Sequence, residues 1–142
     1  KIKTWTVRQM LAEGPCLEYD EAKIQSLWGT RQALSLLDIL DLGIPAKDRL
    51  WVCWRRGVLT QAQSADARER IVSRAVRTYA LPEPRTAEWA RRWLDHDLDA
   101  RSEAGAWAAW AAGAAGAAAG AADAELDRQV EDVLAVITGA TP

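Results

Sequence analysis

An all-α fold is what this 142-residue chain predicts, on three observations. Helix start and stop signals recur from residue 6 onward, and no convincing strand pattern follows residue 7. Apolar residues repeat at spacings of three and four, the period of a helix with one buried face. Residues 102–125, "SEAGAWAAWAAGAAGAAAGAADAE", consist almost wholly of alanine and glycine around two tryptophans, with no charge between Glu103 and Asp123. The expected architecture is a compact bundle of about six to eight helices in one domain, residues 1–142, with this segment as a close-packed Ala/Gly-rich central helix. A chain of this length can bury a core without disulfides or a structural metal. It has eight Trp and no Phe, so its large core side chains are expected to be Leu and Trp.

Each element has its own signal. Residues 1–5 alternate slightly and suggest an extended arm. Thr6 with Gln9 forms a capping-box pattern, and Gly14-Pro15 stops the helix, which gives a first helix over about 7–13. Asp20 caps a second through Trp28, with Ile24, Leu27 and Trp28 on one face and Gly29 past its end. Ser35 with Asp38 opens a third, in which Leu36, Leu37, Ile39, Leu40 and Leu42 leave only Asp38 and Asp41 for water. The run Leu50, Trp51, Val52, Cys53, Trp54 is too broad for one stripe and predicts a central core helix. Ser64 or Asp66 is expected to cap the next helix, which carries Ile71, Ala75, Val76 and Tyr79 at helical spacing and ends before Pro82. A short helix over about 85–95 places Trp89 and Trp93 on one face. After the acidic link "DHDLD" and the Ala-rich segment, Leu126, Val130, Val133, Leu134 and Ile137 form the stripe of a final amphipathic helix.

The Ala-rich segment lacks the Leu, Ile and Val that drive membrane insertion, and a flexible linker would not be built from the best helix former. Gly113, Gly116 and Gly120 share one helix face, and each costs about 0.8–1 kcal/mol relative to Ala. A face without Cβ atoms lets a neighbouring helix approach closely, which would offset that cost. Trp107 and Trp110 mark an adjoining face, to be read either as core wedges or as an exposed partner anchor.

Little in the sequence supports catalysis. No phosphate loop, nucleophile elbow, zinc-protease or dinucleotide fingerprint occurs. One histidine and two unpaired cysteines, Cys16 and Cys53, assemble no four-ligand zinc set, so neither a metal nor a cofactor is expected. His96 lies between Asp95 and Asp97, but helix neighbours point in different directions and an exposed helix end is the simpler reading. The arginines from Arg68 to Arg92 are interrupted by Glu69, Glu83 and Glu88, which argues against direct nucleic-acid binding. The N-terminal residues lack the apolar run of a secretory signal, and a reduced, cytoplasmic protein is expected.

Net charge is −2, unevenly spread: residues 1–92 carry 16 Lys/Arg against 11 Asp/Glu, and residues 93–142 carry 2 against 9. The acidic third contains Asp95, Asp97 and Asp99 before the Ala-rich segment and Asp123, Glu125, Asp127, Glu131 and Asp132 after it. These eight residues are the candidate partner-binding set, suited to a basic protein partner. The competing reading has them facing water or meeting the protein's own arginines.

Taken in order, "TVRQMLAEGPC", "SLLDILDLGIPAKDRLWVCWR", the Arg-bearing helix ending before Pro, "ARRWLD" and "AWAAWAAGAAGAAAGAAD" with its following amphipathic helix resemble the alanine-rich immunity-protein family, encoded in bacteria and in phages. That resemblance spans nearly the full chain. It implies an all-α, non-enzymatic protein that binds and neutralises another protein, either a toxin or, for a phage-encoded member, a component of a host defence system. It carries over no binding residues, and the Gly-rich tail departs from the pattern. The alternative is a structural or assembly module whose small-residue helix face mediates homo-oligomerisation.

Overall fold

The computed structural model describes residues 3–102 and 121–139, the side chains of the second segment from Asp123 onward. These residues are mostly helical, and the chain divides into two compact units, Lys1–Thr60 and Gln61–Pro142.

The first unit starts with a two-residue strand β1 (Thr4–Trp5), followed by α1 (Val7–Ala12) and α2 (Glu21–Trp28). A second strand, β2 (Leu34–Ser35), leads directly into α3 (Leu36–Leu40), and α4 (Ala46–Cys53) completes the unit. The strands pair antiparallel, Thr4 with Ser35 and Trp5 with Leu34. This ribbon corrects the expectation of no strand after residue 7. Two residues are too few to show a period of two in a sequence, and the pairing is fixed from outside by burial. Trp5 and Leu34 both point inward, at 1% and 0% exposure, and the Trp28 indole N–H donates to the Trp5 carbonyl at 2.8 Å.

The caps hold the short helices in register. The Thr6 hydroxyl accepts from the Gln9 amide while the Gln9 side chain accepts from the Thr6 amide. The Asp20 carboxylate accepts from the Lys23 amide at 2.8 Å, and Ser35 and Asp38 form a second reciprocal box. Each such cap satisfies backbone donors that a helix start leaves open, which matters most for helices of five to eight residues. The apolar run expected as one central helix divides: Leu50, Val52 and Cys53 are buried, Trp51 is half-buried, and Trp54 lies beyond the helix end, 38% exposed.

The second unit contains α5 (Gln61–Ala75), which continues into a π-helical turn over Val76–Ala80, then α6 (Ala87–Leu94), α7 (Leu98–Ser102) and α8 (Ala121–Thr138). Helix α5 starts three residues before the earliest expected cap, so Ser64 and Asp66 lie inside it. The π turn is marked by the Leu81 amide, which donates to the Val76 carbonyl five residues back at 2.8 Å. Val76 and Ala80 thereby join Trp89, Ala90, Trp93 and Ala100 in one buried cluster. The Thr86 hydroxyl donates to the Ala80 carbonyl at 2.6 Å and the Trp89 indole to the Ala100 carbonyl at 3.0 Å, whereas the Trp93 indole N–H is buried without a hydrogen-bond acceptor.

The link "DHDLD" is itself structured. His96 adopts a left-handed backbone, φ 62°, and lies exposed between α6 and α7. Asp97 then accepts from the Ala100 amide at 2.9 Å, capping α7.

Candidate functional site

The eight acidic residues singled out from the sequence separate into two roles. On α8, Glu125 and Asp132 are seven residues apart, two helical turns, and therefore lie on one face. Both meet Arg74 of α5. The guanidinium Nη2 donates to Glu125 at 2.7 Å, and Nη1 donates to Asp132. Gln129 lies between them on the same face and donates to Glu125 at 3.3 Å. Burial alone would raise the Glu125 carboxyl, but the hydrogen bonds from Arg74 and Gln129 outweigh it and hold the group below its ordinary value. The Arg74 guanidinium, conversely, is held protonated against its own burial by the two carboxylates.

Asp123, Asp127 and Glu131 follow one another at spacings of four on the other side of α8, and all three are exposed. Val130 and Val133 are buried, so α8 presents a carboxylate row outward while its valines and the Arg74 clamp fix its rotation.

Around α7, Asp97 pairs with Arg92 at 3.2 Å, and its carboxyl is lowered chiefly by that hydrogen bond and then by the Ala100 amide. Asp95 and Asp99 are exposed. Arg101 is committed internally: its guanidinium lies 3.9 Å from the centre of the Trp93 ring and donates to both oxygens of Glu69. Two of the arginines singled out from Arg68 to Arg92, Arg74 and Arg92, and Arg101 beyond them, are thus held by the unit's own carboxylates. The close-packing residues Trp107, Trp110, Gly113, Gly116 and Gly120 lie outside the described residues.

A feature not anticipated from the sequence is an apolar cavity of about 190 Å3 in the first unit. Its floor includes Ile24, Trp28, Ile39 and Val52, supplied by α2, α3 and α4. Two rings, Tyr19 and Trp51, stand in its wall, with Asp48 beside Tyr19. The Tyr19 hydroxyl donates to Asp48 at 2.6 Å, and burial together with that carboxylate pushes its pKa well above the ordinary tyrosine range. Sequence periodicity identified Ile24, Leu27 and Trp28 as one face. It carries no signal for the convergence of Tyr19 with Asp48, 29 residues apart.

Among the described residues no group of His, Cys, Asp and Glu is arranged to hold a metal ion, and no helix is long and apolar enough to cross a membrane. The chain matches no protein-family model, no curated protein and no solved structure.

Proposed function

We propose that the protein is a non-enzymatic, protein-binding inhibitor that acts in the cytoplasm on a basic protein partner, either as an immunity protein neutralising a toxin or as a phage-encoded inhibitor of a host defence component. The observation that carries this reading is the outward carboxylate row of α8, with Asp123 and Glu131 exposed at either end of Asp127. Such a row is set on a helix whose other faces are already committed to Arg74 and to the buried valines. Fixed charge on a rigid element raises the rate of encounter with a partner of opposite sign and disfavours partners of like sign. Asp95 and Asp99 add exposed negative charge elsewhere in the same unit.

The test is capture of a stoichiometric partner from the native host, followed by stopped-flow association with the captured protein. The combined variant Asp123→Asn, Glu131→Gln is expected to slow association, with helicity and melting temperature unchanged, and added salt to slow the wild type in the same direction. Association indifferent to both the substitutions and salt eliminates the α8 surface. The same reading places the Ala/Gly-rich segment as the close-packed central helix of a bundle. Gly116→Leu is then expected to destabilise the protein by about 1–3 kcal/mol through overpacking, and a stabilised variant overturns that placement.

A further inference from the structure

The cavity of the first unit has the composition of a ligand site. Its lining is overwhelmingly apolar, so a water molecule inside would lack the two to four polar partners that hold buried water in place. An enclosed apolar cavity of roughly 150 Å3 takes up benzene, and this one, at about 190 Å3, has room for a little more. Two exposed residues, Cys16 and Lys47, are part of its lining, so it opens to solvent and a small molecule has a route in.

The aromatic part of the wall is braced from outside. The Lys23 ammonium lies 4.6 Å from the centre of the Tyr19 ring, and the Arg55 guanidinium 4.7 Å from that of Trp51. Arg55 is in turn tied to Glu13, donating to its carbonyl at 2.9 Å. Tyr19 is held at its other end by Asp48. Rings fixed in this way lose little freedom when a flat molecule is placed against them, which lowers the cost of binding a small ligand.

The polar end of the cavity restricts the ligand's chemistry. The Tyr19 hydroxyl spends its proton on Asp48 Oδ2, leaving the Asp48 carboxylate with lone pairs in hand. An anionic ligand would meet that negative charge, and a charged group of either sign would lose its hydration in the apolar interior. An uncharged molecule with an N–H or O–H directed at Asp48 meets neither penalty. Lys47, also at the mouth, is exposed and remains hydrated.

We propose that this cavity binds a small, uncharged aromatic molecule, of one or two fused rings, through its apolar floor and a hydrogen bond donated to Asp48. This site is separate from the α8 carboxylate row, and its failure would leave the inhibitor reading untouched.

The experiment is a methyl-detected NMR titration of the full chain with indole and with benzofuran, which has the same shape but no N–H. Saturable shifts confined to the methyls that line the cavity, those of Met10, Ile24, Ile39 and Val52 among them, are expected, with a Kd for indole on the order of 0.1–1 mM and benzofuran about threefold to tenfold weaker. In Asp48→Ala the gap between the two ligands is expected to close, and Ile44→Trp, which puts a bulky ring where Ile44 lines the cavity, to abolish binding of both. Should Ile44→Trp not fold, Leu42→Trp serves the same purpose. Absence of saturable shifts in the wild type, shifts centred elsewhere, or equal affinity for indole and benzofuran overturns the proposal.

Discussion

Arg74 gathers two carboxylates that are seven residues apart in sequence, and removing it would leave both half-buried without their cation. Arg74→Met is therefore expected to destabilise the protein by about 2–3 kcal/mol, toward the lower end of what breaking a buried pair costs because the groups keep some solvent. Urea denaturation measures it. The same cluster sets a pH dependence. The Glu125 carboxyl is held below its ordinary value of 4.5 in the folded state, so its contribution is complete above that value and is lost as pH falls through the lower, folded one. Glu125→Gln is expected to flatten the loss of stability below pH 4.5, and an acid profile unchanged by the substitution refutes the assignment. In the first unit Glu13 behaves likewise, lowered by Lys3 and then by the Trp5 indole.

At the scale of elements, the helices of the first unit are short enough that their ends decide whether they form. Gly29 closes α2 at φ 61°, ψ −125°, a region that only glycine enters freely. A Cβ added there meets no atom within 4 Å. Gly29→Ala is therefore a pure backbone substitution, expected to cost about 1–2 kcal/mol in urea or thermal melts. Loss of the Ser35 hydroxyl in Ser35→Ala is expected to cost about 1 kcal/mol.

These ends were also the most legible part of the sequence. Thr6 with Gln9, Asp20 and Ser35 with Asp38 are local contacts, made within three residues, and their chemistry is written in the residues themselves. Two helix starts were not legible in the same way. Ser64 and Asp66 have cap chemistry but sit inside α5, and the acidic link conceals a cap at Asp97 because its run of charges reads as solvated chain. The β1–β2 ribbon and the π turn at Val76–Ala80 depend on what packs against them, which no local pattern encodes.

For the whole molecule, the charge balance differs between the units. The first carries nine Lys/Arg against seven Asp/Glu, a net +2, and the second nine against thirteen, a net −4. The sequence made the acidic excess visible but not its allocation. Glu125, Asp132 and Asp97 are taken up by the second unit's own arginines, whereas Asp123 and Glu131 stay exposed, because only the rotation of α8 decides which carboxylates face Arg74. The apolar cavity was illegible for a related reason, since its lining comes from four helices, the turn before α2 and the loop between α3 and α4. The far-UV circular dichroism spectrum is expected to be dominated by helix and unaffected by chelator or reductant. A sheet-dominated spectrum, or unfolding by either reagent, contradicts the fold.

Both cysteines are free thiols, but only Cys16 is exposed, while Cys53 is 1% exposed at the end of α4 and pushed up to about 12 chiefly by burial. Thiolate is the reactive form, so the folded chain has one sulfur open to a disulfide reagent and one that the reagent reaches only when the unit opens. That pair makes a built-in clock. The delay between the first and second equivalents of released reagent reports how often the first unit opens around α4, and a ligand that occupies the cavity, whose lining includes both Cys16 and Val52 beside Cys53, would lengthen the delay by stabilising the closed unit.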